Sequence, residues 1–304
     1  MKVFYSGDEV DFKAAAVALG NFDGLHIAHM KIINSCVEFA KKHNTKSGVL
    51  LFDHHSAQTT HSRNISLIMP NNYKIDILKD TGVDFVYFVK FDEEFMKKTP
   101  EQFILFLKEY LKAKCICVGY DYRFGYKAQG NTKMLYELGK KYDISINVTE
   151  KVTLDGELVG STYIRTIIND GDMQKAMKFL GRPFFVEGFV ERGLQNGRKM
   201  GFPTANVKFE KDIILPPDGV YAGVTYVKGK KYKSVINIGN NPTFNAQRKT
   251  VETHLLDFDE DIYNESVKVD LIERLRGEIK FENMEQLKNQ ISSDAEHTRN
   301  LKLF

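Results

Sequence analysis

The hydrophobic period of this chain changes once, near Gly181-Arg182-Pro183, and that change constrains the fold more than any other feature. Upstream, short apolar runs alternate with segments of helical spacing. Ala15–Leu19, 49–52, Phe85–Val89, 115–118 and 144–148 read as buried strands. Residues 26–42, 73–79, 100–111 and Thr132–Tyr142 read as helices, and Thr99-Pro100-Glu101-Gln102 forms a capping box that opens the third. Alternating strands and helices imply a parallel sheet with helices on both faces. Ligands on such sheets bind beyond the carboxyl ends of the strands, so the loops after Leu19, Phe52 and Val118 are the informative ones.

Downstream the period drops to two. Phe184–Glu191, 220–228, 232–238, 250–256 and 267–272 are short alternating runs separated by turns such as Pro216-Pro217-Asp218-Gly219 and Lys228-Gly229-Lys230. This pattern predicts an antiparallel closed barrel. A last helix is expected from Met284 to about Lys302, with Met284, Leu287 and Ile291 as its apolar positions. The fold class is therefore α/β: a Rossmann-like domain over residues 1–182 and a β-barrel domain over 183–304 that ends in a helix. A length of 304 residues fits two domains.

The chain is 42% apolar and 27% charged, which supports packed cores. A net charge of +3 argues against a dedicated nucleic-acid binder. Cys36, Cys115 and Cys117 lack the spacing of a zinc site or a disulfide framework, and Cys115 and Cys117 are expected on one face of a buried strand. No run approaches the length that spans a bilayer and no basic-then-apolar leader is evident, so the cytoplasm is the expected compartment. Oligomeric state is not legible.

Residues 198–206 read Arg-Lys-Met-Gly-Phe-Pro-Thr-Ala-Asn. Residues i and i+2 of an extended segment face one side, so the Thr204 hydroxyl and the Asn206 amide converge after the Gly-Phe-Pro turn. Hard oxygen ligands suit Mg²⁺, which is bound through few protein groups together with substrate phosphates. Gly193 and Gly197 bracket a loop ending in Arg198 and Lys199, placed to cover phosphates. Farther on, alternation puts Glu252, His254 and Leu256 on one face, and Glu252 supplies a carboxylate able to orient an alcohol and take its proton.

A second constellation lies near the N-terminus. The turn Gly20-Asn21-Phe22-Asp23-Gly24 joins a strand to a helix, the usual way to offer free N–H groups and a helix dipole to an anion. His26 and His29 share one face at the start of that helix. In Gly119-Tyr120-Asp121-Tyr122-Arg123-Phe124-Gly125, Tyr122 and Phe124 are placed to stack on a ring and Asp121 to accept a hydrogen bond. Ser161 or Thr162 is a natural N-cap, with Arg165 one turn later to fork onto phosphate oxygens.

Gly-Asn-Phe-Asp-Gly-Leu-His-Ile-Ala-His, Gly160-Ser161-Thr162-Tyr163-Ile164-Arg165, Pro203-Thr204-Ala205-Asn206 and Glu252-Thr253-His254-Leu255-Leu256-Asp257-Phe258 occur in the order of the bifunctional riboflavin kinase/FMN adenylyltransferases, which this chain resembles over roughly residues 15–300. The resemblance implies riboflavin plus ATP to FMN, then FMN plus ATP to FAD, with Mg²⁺. It makes Glu252 the kinase base, Thr204 and Asn206 the metal ligands, and 197–199 a phosphate loop. It makes His26, His29 and Arg165 the catalytic residues of adenylyl transfer, assigns Gly20, Phe22, Asp23, Gly24, Ser161 and Thr162 to ATP and phosphate, and assigns Asp121, Tyr122, Phe124, Asn131 and Arg276 to flavin. Ala28 stands where the family has Gly, and His54 and Ser56 replace two prolines of its Phe-Asp/Glu-Pro-His-Pro run. Two other readings fit parts of the pattern: a kinase with a degenerate first domain, and a flavin- or RNA-binding regulator without turnover.

Overall fold

A computed structural model describes residues 1–53, 66–193, 197, 200–210, 212–240 and 249–303. By internal contacts the chain divides into two compact units, Met1–Ser161 and Thr162–Phe304.

The first unit is built on a six-stranded sheet in the order β1-β4-β3-β2-β5-β6. Its strands are β1 (Lys2–Tyr5), β2 (Ala15–Leu19), β3 (Lys46–Phe52), β4 (Phe85–Val89), β5 (Ala113–Gly119) and β6 (Ser145–Thr149). Every pairing is parallel. β2 and β4 are buried throughout, as strands covered on both faces must be. Helix α1 (Ile27–His43) packs on β2, β3 and β5. Along the rest of the unit run α2 (Asn71–Lys79), α3 (Glu93–Met96), α4 (Pro100–Glu109) and α5 (Thr132–Tyr142). The capping box at the head of α4 is formed: Thr99 accepts from Gln102, and the Gln102 side chain accepts from the Thr99 N–H.

β1 was not expected. It is a short, partly exposed edge strand beside β4. A two-residue hairpin, β7 (Thr153–Leu154) with β8 (Glu157–Leu158), precedes α6 (Ser161–Asp170). Cys36, Cys115 and Cys117 are buried, and the Cys115 and Cys117 sulfurs lie 3.8 Å apart on one face of β5.

The second unit opens with α6 and α7 (Met173–Leu180), which ends on Gly181 in the left-handed conformation (φ 75°). A closed antiparallel barrel follows in the order β10-β13-β12-β11-β14-β9. Its strands are β9 (Phe184–Glu191), β10 (Ala205–Phe209), β11 (Gly219–Val227), β12 (Lys230–Asn240), β13 (Lys249–Leu255) and β14 (Ser266–Arg276). The five expected barrel strands are present, and β10, read in sequence only as the segment behind a turn, is the sixth.

Helix α8 (Met284–Asn300) packs on β11 and β12 by a face that periodicity did not indicate. Met284 is exposed, and the buried residues are Asp294, Ala295 and Thr298. A polar anchor explains the shift. Asp294 accepts from Arg276 Nε at 3.0 Å and ion-pairs with its Nη2 at 3.0 Å.

Candidate functional site

In the first unit, the turn after β2 is held in a strained shape. Phe22 (φ 46°), Gly24 (φ 84°) and Leu25 (φ 40°) all have positive φ, uncommon for residues other than glycine. A Cβ on Gly24 would lie 2.9 Å from Ile68, so glycine is required there on two counts. Phe22 and Asp23 are buried, not open to solvent. The Asp23 carboxylate accepts from the Ile68 and Met69 N–H groups at 3.0 and 3.1 Å. Its carbonyl accepts from the Ser161 hydroxyl at 3.0 Å. The expected N-cap role of Ser161 is therefore replaced: Ser161 is already the first residue of α6, and its hydroxyl is spent on the Asp23 carbonyl. Thr162 is exposed, and Arg165 follows one turn along the same helix.

His26 is the N-cap of α1 rather than its first residue, and its Nδ1 accepts from the His29 N–H at 3.3 Å. That bond requires a bare Nδ1, so the Nε2 of a neutral His26 carries the proton and is a donor. The His26 and His29 rings stack at 3.5 Å, as their i, i+3 spacing predicts, and Phe22 meets His29 edge-on at 5.2 Å. The arrangement presents imidazole donors at a helix N-terminus, where negative charge is favoured.

In the loop after β5 the aromatic side chains pack on one another. Asp121 is exposed. Tyr122 and Phe124 stack on each other at 5.8 Å, and Phe124 is buried against Phe103. Burial also pushes the Tyr122 hydroxyl above its ordinary pKa. Phe124 thus serves the core. Gly130 is fixed by the same packing, because a Cβ there would meet the Phe124 ring at 2.6 Å. Asn131 caps α5, accepting from Met134 N–H at 3.0 Å.

Sequence reasoning passed over Lys74. It sits on α2, only 4% exposed, and its Nζ donates to the Asn21 carbonyl at 3.0 Å. Asp53 accepts from the Phe91 N–H, while His54 and Ser56 lie outside the described residues.

In the second unit, β10 lies between β9 and β13. Asn206 is the direct register partner of Glu252, and Glu252 is in turn the partner of Asn237 on β12. Val251, Thr253 and Leu255 are buried, so Glu252 and His254 occupy the face turned away from the barrel core. Leu256 lies beyond the end of β13 and is buried, so the expected alternation stops at His254. Thr204 Oγ1 donates to Glu252 Oε2 at 3.5 Å. Burial raises the Glu252 carboxyl above the ordinary range, and the Thr204 hydroxyl partly opposes this.

His254 builds the turn that delivers Thr204. Its Nδ1 donates to the Pro203 carbonyl at 2.7 Å, and Phe202 packs edge-on against its ring. Burial lowers the His254 pKa, which keeps the ring neutral. Gly201 (φ 92°) supplies the reversal.

The donor set fits Mg²⁺: a hydroxyl, an amide oxygen and a carboxylate on neighbouring strands. The space beside it is reserved by glycine. A Cβ on Gly193 would lie 2.2 Å from the Asn206 amide, and one on Gly197 would lie 2.4 Å from the Phe202 carbonyl. Among the described residues, no group of three or more His, Cys, Asp or Glu could hold a metal. Arg198 and Lys199 lie outside the described residues. Arg276 is engaged by Asp294 and has Phe281 5.8 Å from its guanidinium.

Comparison with known proteins agrees with this division. Residues 8–163 match the FAD synthetase family model, and residues 180–302 match the riboflavin kinase model. A bifunctional riboflavin kinase/FMN adenylyltransferase of Bacillus subtilis (strain 168) is 34% identical over 288 residues, 93% of this chain and 90% of its own length. Its counterpart in Haemophilus influenzae is 34% identical over 287 residues, 93% of each chain, and that of Escherichia coli (strain K12) is 33% identical over 285, covering 93% and 91%. A crystal structure described as a macrolide-efflux protein from Streptococcus pneumoniae superposes with a TM-score of 0.89 at 29% identity, over 99% of this chain and 100% of that one. Among the described residues no helix is long and apolar enough to cross a membrane.

Proposed function

This chain belongs to the bifunctional riboflavin kinase/FMN adenylyltransferase family, and on that premise we propose how its residues divide the work. The protein phosphorylates riboflavin with ATP to give FMN, and it adenylylates FMN with a second ATP to give FAD and pyrophosphate. We take residues 183–304 as the kinase and 1–182 as the adenylyltransferase, both acting in the cytoplasm on small-molecule flavins and ATP without nucleic acid or membrane.

In the kinase half, Glu252 orients the riboflavin alcohol and takes its proton as the hydroxyl oxygen attacks the γ-phosphorus of ATP, whose bond to the β,γ-bridging oxygen breaks to release ADP. Thr204 and Asn206 hold Mg²⁺, which when bound offsets the charge of the ATP phosphates. Gly197, Arg198 and Lys199 cover the phosphates, and Arg276 borders the flavin. The observation that carries this reading is the convergence of Thr204 and Asn206 on Glu252 across β10 and β13.

The adenylyl transfer needs less proton chemistry. FMN attacks the α-phosphorus through a phosphate oxygen that is already anionic, and pyrophosphate leaves. The protein's task is alignment and positive potential. Gly20, Phe22, Asp23 and Gly24 shape the turn, while His26, His29, Ser161, Thr162 and Arg165 receive the phosphates. Asp121, Tyr122, Phe124 and Asn131 border the flavin. The packing of Phe124 makes its share one of shape rather than direct stacking.

Chromatography of products tests the reading. Purified protein with ATP and Mg²⁺ is expected to make FMN from riboflavin, and FAD from FMN in a separate tube. FMN without FAD would reduce the assignment to a kinase; neither product would overturn it.

A further inference from the structure

We propose that Lys74 is a positioning residue of the adenylyl-transfer site, holding the Gly20-to-Gly24 turn in its anion-receiving shape through the Asn21 carbonyl. The inference rests on the adenylyltransferase reading above. Three observations carry it.

The first is where the ammonium sits. Lys74 is 4% exposed, and its Nζ bonds the Asn21 carbonyl at 3.0 Å. Among the described residues no carboxylate forms an ion pair with it. A lysine packed for its stem alone carries its charge out to water; this one brings it to the turn.

The second is the cost. Burial lowers the Lys74 pKa to about 8, while the charge of Asp23 acts the other way. Leucine or methionine would fill the same space without that penalty. A charged group kept at such a cost, against the turn that leads into the N-terminus of α1, is a mark of function.

The third is the strain of the turn. Positive φ at Phe22, Gly24 and Leu25 persists only where the surroundings over-determine it. The Ile68 and Met69 amides hold the Asp23 carboxylate, Ser161 holds its carbonyl, and Lys74 holds the carbonyl of Asn21. Of these holds, Lys74 is the one that adds positive charge where the phosphates of ATP arrive. Its loss is therefore felt in the capture of ATP more than in the stability of the fold.

The test compares Lys74→Met and Lys74→Arg in the full-length protein. Lys74→Met is expected to lower kcat/KM for ATP in FAD formation at least tenfold. Its riboflavin kinase rate stays within twofold of wild type, and its melting temperature is equal or higher because a buried charge is gone. Lys74→Arg restores a substantial part of the lost kcat/KM. Unchanged kcat/KM in Lys74→Met overturns the proposal. So does a loss that Lys74→Arg fails to restore and that comes with a lower melting temperature, which is the mark of a structural role.

Wild-type pH dependence decides the case even if Lys74→Met does not fold. The titratable groups on the elements Lys74 joins are Asp23 on the turn, His26 and His29 at the head of α1, and Tyr73, Asp76 and Lys79 on α2. Asp23 is the one whose charge acts on Lys74. Deprotonation of Lys74 lowers kcat/KM for ATP in FAD formation as pH rises past about 8, with no matching limb in the kinase reaction. A flat profile through that range overturns the proposal. Wild-type FAD formation from FMN is the control. Its absence defeats the adenylyltransferase reading itself, whereas an active wild type with an equally active Lys74→Met defeats only the role of Lys74.

Discussion

Asn206 on β10 lies directly opposite Glu252 on β13, and the Thr204 hydroxyl two residues earlier donates to the same carboxylate at 3.5 Å. In the proposed reaction a carboxylate so placed sits beside the residues assigned to Mg²⁺ and takes the proton of the alcohol, which it can do only when ionised. Burial holds its pKa above the ordinary carboxylate range.

The pH profile of the kinase follows with a definite sign. Glu252 acts as a base only when ionised, so kcat/KM for riboflavin falls toward acid, and the limb lies above the usual carboxylate value of about 4.3. Thr204→Val removes a hydrogen bond that favours the ionised form, so the limb moves further up. Rate profiles of the two proteins check this; an unmoved or lowered limb in the variant counts against the contact.

Gly193→Ala is expected to damage metal use more than folding. The added methyl falls 2.2 Å from the end of the Asn206 side chain, which swings aside at little steric cost but leaves its ligand position. The Mg²⁺ concentration for half-maximal kinase rate should rise on the order of tenfold, equivalent to about 1.4 kcal/mol, with the melting temperature nearly unchanged. An unaltered Mg²⁺ requirement contradicts the placement of Asn206.

The last helix is anchored by charge. Asp294→Ala leaves Arg276 without its carboxylate in a mostly buried position. Breaking a buried pair by removing one partner costs about 3 kcal/mol or more. Denaturant unfolding should show a loss of that order, and a loss below about 1 kcal/mol would mean that solvent screens the pair.

What was legible in the sequence follows from physics that acts locally. β2 and β4 are apolar at nearly every position because both faces are covered, and such runs announce themselves. β1 is short and half-exposed at the sheet edge, so its four residues carry no comparable signal. The spacing of Thr204 and Asn206 revealed a shared face. The hold of His254 on Pro203 depends on a contact between residues 51 apart in the chain. The packing of Phe124 on Phe103 was likewise not legible, since an aromatic side chain in a loop reads the same whether it faces a ligand or the core. In α8 the buried Asp294 was invisible to a pattern that counts only apolar positions. Lys74 was missed for a related reason: lysine is almost never buried, so nothing in the helical spacing of 73–79 marked it as an interior residue.

The central claim is that one chain carries two separable transfer sites. A pair of variants tests it most directly: Glu252→Gln and Arg165→Ala, each assayed for FMN formation from riboflavin and for FAD formation from supplied FMN. The account predicts that Glu252→Gln loses FMN formation by at least about 100-fold, the scale of a lost general base, while it makes FAD at the wild-type rate. Arg165→Ala loses FAD formation and keeps the kinase. Parallel loss of both reactions in either variant would contradict the two-site account.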